Sequence, residues 1–134
     1  MIPIAEPRWL SRAMIEAMHG EQVREHGGQH GLRDAGLLVS ALARPKHVGS
    51  YEPEADLARL AAEYCYGLAK NHPFVDGNKR VALVAMNVFL QVNGYELDAP
   101  EPAAVDVIMR VADGRLSAPQ VADWVRTVLV PYPG

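Results

Sequence analysis

The stretch NHPFVDGNKR, residues 71–80, separates two helical segments and predicts an anion site between them. The proline that follows His72 disfavours helical geometry there, so one helix is expected to end at His72, in a bend. A second helix is expected to begin near Gly77, which places Lys79 and Arg80 in its first turn, where the helix dipole is already positive. Backbone N–H groups at a helix start bind anions, and two added cations favour a ligand more highly charged than one carboxylate. Phosphate groups are the usual ligands of this kind.

Two further side chains of this stretch suit chemistry on a phosphate. Asp76 is expected to hold Mg²⁺, which keeps most of its waters and takes few ligands from the protein. His72 is the one group of the stretch that can act as a base near neutral pH. Together, a base, a metal carboxylate and a phosphate cradle suit the transfer of a phosphate group to a hydroxyl. Taken singly, the same residues could be a loop histidine, a helix N-cap and solvated surface charges.

Outside this stretch, the chain divides into segments of helical length and period. The expected helices cover about residues 7–25, 34–43, 54–70, 77–92, 101–112 and 117–130. The segment 77–92 is apolar almost all round, which predicts that it is the central, buried helix. Patterns typical of strands are nearly absent, apart from a possible short pairing at 95–97. We therefore expect an all-α fold, a compact bundle of about six helices around a buried central helix, as a single domain over residues 1–134.

A few residues predict how the first two helices pack and end. Leu10, Met14 and Met18 share one face of the first segment and are expected to be buried. Asp34 is the expected N-cap of the second helix. The breakers in residues 44–53, RPKHVGSYEP, are expected to form the loop that follows it.

Composition excludes several classes of protein. With 134 residues, 22% charged residues and a net charge of -3, the chain lacks the basic surface of a direct nucleic-acid or anionic-membrane binder. A single cysteine, Cys65, cannot form an intrachain disulfide or a multi-thiolate metal site and is expected to be buried. The N-terminus lacks a signal-peptide pattern, and the nearly apolar run 81–92 is too short to span a membrane. A cytoplasmic location is therefore expected.

Residues 72–80, HPFVDGNKR, resemble the Fic motif HxFx(D/E)GN(G/K)R, and the lysine after the asparagine is similar to the Doc branch, the "death on curing" toxins. The resemblance extends to residues 27–42, 66–74 and 79–97, and so covers most of the chain. A motif with six constrained positions at a helix boundary is a specific signal.

The resemblance implies a role for each matching residue. His72 would be the base that deprotonates a target hydroxyl, and Asp76 would hold Mg²⁺. The turn at Gly77 with Asn78 would supply an anion hole, and Arg80 would bind the phosphates of ATP. The segment from 28 to 51 lies where Fic-type proteins have the flap that positions the target chain.

Two positions bear on which group is transferred. Lys79 stands where nucleotidyl-transferring Fic enzymes have a second glycine, and Leu83 stands where they usually have an arginine. Both departures are shared by Doc, for which the resemblance implies transfer of the terminal phosphate of ATP to a threonine of elongation factor Tu. Lys70 lies where Doc-like proteins often have a base and would add a phosphate contact, although a lysine at a helix C-terminus is stabilising on dipole grounds alone.

The expected function is therefore that of a Doc-like toxin kinase acting on a translation factor. Fic-type AMP transfer to a protein hydroxyl, and a catalytically silent binding or regulatory protein, are the alternatives. The nearest match to the inhibitory pattern (S/T)xxxE(G/N), at residues 50–55, ends in alanine and contains a proline. The resemblance thus implies a partner antitoxin that donates an inhibitory helix to an apolar groove with a basic rim. His26 and His30 are expected to be loop histidines rather than metal ligands.

Overall fold

The computed structural model describes residues 6–133, and within them the chain forms six α-helices and two short β-strands. The elements are α1 (Arg12–His26), α2 (Ala35–Tyr51), α3 (Leu57–Asn71), α4 (Asn78–Val92), β1 (Tyr95–Leu97), α5 (Glu101–Ala112), α6 (Ala118–Val128) and β2 (Leu129–Pro131). The expected all-α bundle is thus confirmed. The expectation that the N-terminus lacks a signal-peptide pattern concerns mainly residues 1–5, which lie outside the described residues.

The short pairing expected at 95–97 is present as β1, and its partner is β2. The two strands are antiparallel, with Tyr95 opposite Pro131 and Leu97 opposite Leu129. Because the chain turns into this strand, the last helix ends at Val128 and not at residue 130. The capping box at its start, formed by Ser117 and Gln120, satisfies the first N–H groups of α6.

The buried centre of the bundle is α3 rather than α4, which corrects the expectation for residues 77–92. Eleven of the fifteen residues of α3 are buried, against seven of fifteen in α4. Alanines and a glycine dominate several faces of α3, so that α2, α4 and α6 all pack closely against it. On α4, Leu83 and Val84 remain partly exposed.

The second helix does not end near residue 43, as its breakers predicted, but continues to Tyr51 through Pro45. Leu38, Ala41 and Pro45 are buried on one face, at helical spacing, and this packing outweighs the hydrogen bond that the proline cannot make. The side chain of Arg44, beside the proline, pairs with Glu63 of α3 at 2.9 Å.

The pairing of Arg44 belongs to a small ionic cluster that ties α2 to the bundle centre. Glu63 is only 2% exposed, and it is bonded by Arg59 as well as by Arg44. A buried carboxylate needs partners of this kind, because removing an unpaired charge from water is costly.

The first helix begins later than expected and buries a different face. Ser11 is its N-cap, so Leu10 lies outside the helix, where its N–H donates to the buried hydroxyl of Tyr64 at 3.0 Å. The buried positions within α1 are Ile15, His19 and Val23, with i, i+4, i+8 spacing. The expected face was therefore wrong for Met14, which is 36% exposed. A histidine occupies the middle of the true buried face.

None of the helices within residues 6–133 has the length and apolar character required to cross a membrane.

Candidate active site

Six of the seven predicted site residues line one cavity of about 270 Å³ between the end of α3 and the start of α4. The residues that line it are His72, Val75, Asp76, Gly77, Asn78, Lys79 and Arg80. Lys70 is the predicted residue that does not line this cavity. Its Nζ lies beside the turn after α5, 3.8 Å from where a Cβ on Gly114 would stand.

The predicted bend at His72 is present and is held by Arg33, a residue outside the motif. His72 adopts a left-handed conformation with φ of 48°, the only non-glycine residue with positive φ in residues 6–133. The guanidinium of Arg33 donates to the carbonyl of His72 at 2.7 Å and to that of Asn71 at 2.9 Å. These carbonyls end α3 and lack intrahelical donors, so Arg33 both satisfies them and stabilises the bend. The His72 side chain is exposed at the cavity.

The loop of residues 28–34 runs beside the motif, is hydrogen-bonded to its backbone and forms the edge of the site. The backbone N–H groups of Arg33 and Asp34 both donate to the carbonyl of Pro73, at 2.8 and 3.0 Å. Leu32 forms an isolated antiparallel bridge with Phe74. Of the segment 28–51, where the flap is expected, only residues 28–34 form a loop, because Asp34 caps α2 and the rest of the segment is helical.

The buried side chain of Asn78 holds the backbone of the motif at Phe74. It is 8% exposed, and its side-chain amide accepts from the N–H of Phe74 at 2.9 Å and donates to the Phe74 carbonyl at 3.0 Å. Because the side chain is used in this way, what Asn78 offers to the cavity is its backbone. Gly77 begins the helix with φ of 75° and no side-chain cap from the described residues. The first-turn N–H groups are therefore available to an anion.

Asp76 is arranged as an ionised ligand. Its carboxylate accepts from the N–H of Gly77 at 2.9 Å and from that of Gln29 at 3.3 Å. The hydrogen bond from Gly77 has the largest effect and, with the bond from Gln29, lowers the pKa of the Asp76 carboxyl. The charge of Arg80 acts in the same direction. Gly28 leaves the room that the carboxylate occupies, since a Cβ there would meet Oδ2 at 2.7 Å. One accessible, ionised carboxylate beside an anion cradle fits the donor set that Mg²⁺ uses with phosphates.

The two cations that face the cavity are exposed and differ in their contacts. Arg80 donates to the carbonyl of Gly27, the C-cap residue of α1, at 3.2 Å. Lys79 and Arg80 also border a second cavity of about 390 Å³, which we call the α1–α4–α5 groove. Its lining residues are Gln22, His26, Lys79, Arg80, Leu83, Val84, Glu101, Val105, Ile108 and Met109. Apart from Glu101, the lining from α5 and the later part of α4 is apolar, and Lys79 and Arg80 are basic side chains that the groove shares with the site cavity.

Two residues that support the site, His19 and Arg33, were missed by the sequence-based prediction. His19 of α1 is 4% exposed, and its Nε2 donates to the backbone carbonyl of Asp76 at 2.7 Å. Its ring is stacked on that of Phe74, with centroids 3.8 Å apart and planes 7° apart. The signal that could have found it is its position between Ile15 and Val23 at helical spacing. No local pattern marks Arg33.

The remaining titratable candidates do not join the site. His26 borders the α1–α4–α5 groove, while His30 lines a separate small cavity beside His19 and Phe74. In the part of the chain that the structure describes, no three His, Cys, Asp or Glu side chains are grouped so that they could hold a metal. Cys65 is buried, as expected, and burial raises the pKa of its thiol to about 12.

Comparison with known proteins agrees with the motif. Residues 9–90 match the sequence model of the Fic/DOC family. The chain is 34% identical over 120 residues to the protein kinase doc of Escherichia phage P1, which covers 89% of this chain and 94% of that protein. It is 45% identical over 74 residues to Toxin Doc of Mycolicibacterium smegmatis, covering 54% of this chain and 57% of that one. It is also 32% identical over 99 residues to a protein of Sinorhizobium fredii named "Probable protein adenylyltransferase y4lH", covering 72% and 51%.

Proposed function

The chain belongs to the Fic/DOC family, and on this premise we propose that it is a Doc-like toxin with kinase activity. It would transfer the terminal phosphate of Mg-ATP to a serine or threonine hydroxyl of a translation factor such as elongation factor Tu. This modification would stop translation and growth. The observation that carries the proposal is the single cavity where His72, Asp76 and the start of α4 meet.

His72 is the proposed base. Its side chain is exposed at the cavity, where the hydroxyl of a docked protein can reach it. As His72 takes the hydroxyl proton, the oxygen forms a bond to the terminal phosphorus of ATP, and the bond from that phosphorus to the bridging oxygen breaks. ADP leaves with the bonding pair, and the proton remains on His72 until solvent removes it.

The phosphates are proposed to bind at the start of α4. Arg80, Lys79 and the first-turn N–H groups from Asn78 onward supply positive charge and donors at one end of the cavity, and Gly77 forms the turn that precedes them. Asp76 would hold Mg²⁺, which when bound would offset the charge of the phosphate oxygens. Lys70 lies outside this set, and the helix dipole accounts for it without a ligand.

Phosphate transfer is favoured over AMP transfer by two side chains. Lys79 projects from the first turn of α4, where its bulk fills space at the cavity. Leu83 lies one turn further on, in the apolar lining of the α1–α4–α5 groove, and cannot bind a phosphate. The relatives include one named as a kinase and one named as an adenylyltransferase, so the side chains carry this part of the argument.

Labelled ATP tests the choice directly. The purified protein, incubated with Mg²⁺ and a cell extract, is expected to label one protein from ATP carrying ³²P at the γ position and none from ATP labelled at the α position. The labelled band is then identified by mass spectrometry. Label from the α position would establish AMP transfer instead. Absence of both labels, together with expression that does not slow growth, would favour the silent regulatory protein.

The protein is further proposed to be neutralised by an antitoxin that donates a helix to the α1–α4–α5 groove. Two observations support this proposal: Toxin Doc is among the relatives, and the groove combines apolar side chains of α4 and α5 with the basic Lys79 and Arg80. Val105 and Met109 are 42% and 41% exposed, large apolar side chains that a bound amphipathic helix would cover. The basic side chains of Lys79 and Arg80 fit acidic residues on that helix.

A charge placed in the groove is expected to release the toxin from its antitoxin. Met109→Glu should weaken binding of the cognate antitoxin at least about tenfold, because it buries an unpaired carboxylate in an apolar contact. Val39→Glu is the matched control, since Val39 is 55% exposed on α2 and outside the groove. Growth during co-expression and titration calorimetry measure the effect. Equal neutralisation of both variants would place the antitoxin elsewhere.

A further inference from the structure

We propose that His19 is a positioning residue that holds the Asp76–Gly77 peptide in the orientation that opens the start of α4 and aims the Asp76 carboxylate. The consequence for ligand binding rests on the proposed function. The orientation of the peptide itself does not, so the two ideas can fail separately.

The contact is made by a buried side chain whose placement is specific. Nε2 of His19 lies 2.7 Å from the Asp76 carbonyl oxygen, which can only accept, so the imidazole donates. The ring is packed flat on Phe74 and is 4% exposed. The same nitrogen would lie 3.6 Å from a Cβ on Gly77, so the ring lies close to both residues of the Asp76–Gly77 peptide. A buried polar ring is costly unless it is hydrogen-bonded, and here the bond is to the site itself.

The carbonyl that His19 binds is the one that would otherwise extend α4 by one residue at its start. In a continuous helix the Asp76 carbonyl would accept the N–H of Arg80, four residues on. The left-handed conformation of Gly77 turns this carbonyl towards α1, where the imidazole of His19 donates a hydrogen bond to it. Among the described residues, the first backbone bond of α4 is the one from Val81 to Gly77, at 3.1 Å. The Arg80 N–H is thereby left to an anion.

The same contact fixes the carboxylate indirectly. Asp76 has its carbonyl bound by His19 and its side chain bound by the N–H groups of Gly77 and Gln29. With its carbonyl and its carboxylate both held, the position of the Asp76 side chain relative to the start of α4 is fixed. His19 does not line the site cavity, so it acts on a ligand only through Asp76.

Two substitutions separate the hydrogen bond from the packing. His19→Phe keeps a flat ring on Phe74 and removes the donor, whereas His19→Gln keeps an N–H donor at a similar reach and loses the ring. Ile15→Val, one turn earlier on the buried face of α1, controls for loosening of that helix. All variants are full-length, and thermal unfolding confirms that each is folded under the conditions used.

The first readout needs no ligand. Hydrogen exchange is followed by NMR at the amides that the contact holds, those of Gln29 and Gly77, which donate to the Asp76 carboxylate, and that of Val81, which donates to the Gly77 carbonyl. Their exchange is expected to be about five- to tenfold faster in His19→Phe, with α6 unchanged. In His19→Gln and Ile15→Val these amides should exchange within about twofold of the wild-type rate.

The second readout is metal binding. The affinity for Mn²⁺ in the presence of a non-hydrolysable ATP analogue, measured by electron paramagnetic resonance, should fall about tenfold in His19→Phe and recover in His19→Gln. Unchanged exchange in His19→Phe, or the same acceleration in both His19 variants, would overturn the positioning role. If the wild-type protein bound no Mn²⁺ with the analogue, the proposed function would fail, and the exchange comparison would still decide the role of His19.

Discussion

His72→Ala is expected to abolish both the labelling of the target protein and growth arrest, with the fold intact. A positioned general base contributes about 10²- to 10⁴-fold, so the rate of phosphate transfer should fall by at least about 100-fold. The side chain is exposed, and its loss removes no buried contact. Growth after induction, the initial rate of γ-phosphate transfer and thermal unfolding together measure the outcome. Toxicity that survives the change would refute the assignment of His72 as the base.

The unusual backbone of His72 requires a second variant as a control. His72 has φ of 48°, a conformation that asparagine adopts more readily than alanine. His72→Asn should keep the bend and the contacts of Arg33 while lacking a base that works at neutral pH. It is expected to be as inactive as His72→Ala. Activity in the asparagine variant alone would show that the bend, and not the imidazole, is what the reaction requires.

The parts of the site that lie within one stretch of sequence were predictable. Proline chemistry places the end of α3 at His72, and glycine chemistry places the start of α4 at Gly77. The helix dipole singles out Lys79 and Arg80 at that start. These are local effects over a few residues, and a sequence displays them directly.

The supports of the site were not predictable because they come from distant residues. His19 is 57 positions from Asp76, and Arg33 is 39 positions from His72. A histidine on a buried face is usually a packing residue, and an arginine in a loop is usually solvated. Only the fold shows which carbonyl each of them meets.

Two errors in the fold have a common physical origin. The breakers around Pro45 predicted a loop, but burial of that residue against the bundle keeps α2 helical. The apolar character of residues 77–92 almost all round the helix predicted α4 as the centre, but small residues let neighbouring helices surround α3. In both cases tertiary packing decided what local propensity left open.

The second large effect is expected from the loop of residues 28–34, because Gly28→Ala should displace the Asp76 carboxylate. Gly28 has φ of +112°, and a Cβ there would lie 2.7 Å from Oδ2 and 3.2 Å from Cγ of Asp76. The carboxylate cannot move aside without breaking its bond from Gly77 or Gln29. A misplacement of about 1 Å at a reacting site can cost about 100-fold in rate, so γ-phosphate transfer is expected to fall by about this factor.

Gly27→Ala is the control that separates displacement of Asp76 from strain of the loop. Gly27 also has positive φ, +82°, but a Cβ there would meet nothing within 4 Å. Both alanines therefore strain the backbone by about 1–3 kcal/mol, and Gly28→Ala is the one whose new carbon reaches Asp76. Transfer rates at increasing Mg²⁺, measured side by side, should show a much larger loss in Gly28→Ala than in Gly27→Ala. Equal losses would mean that loop strain alone is felt, and that the close approach of Gly28 to Asp76 has no part in catalysis.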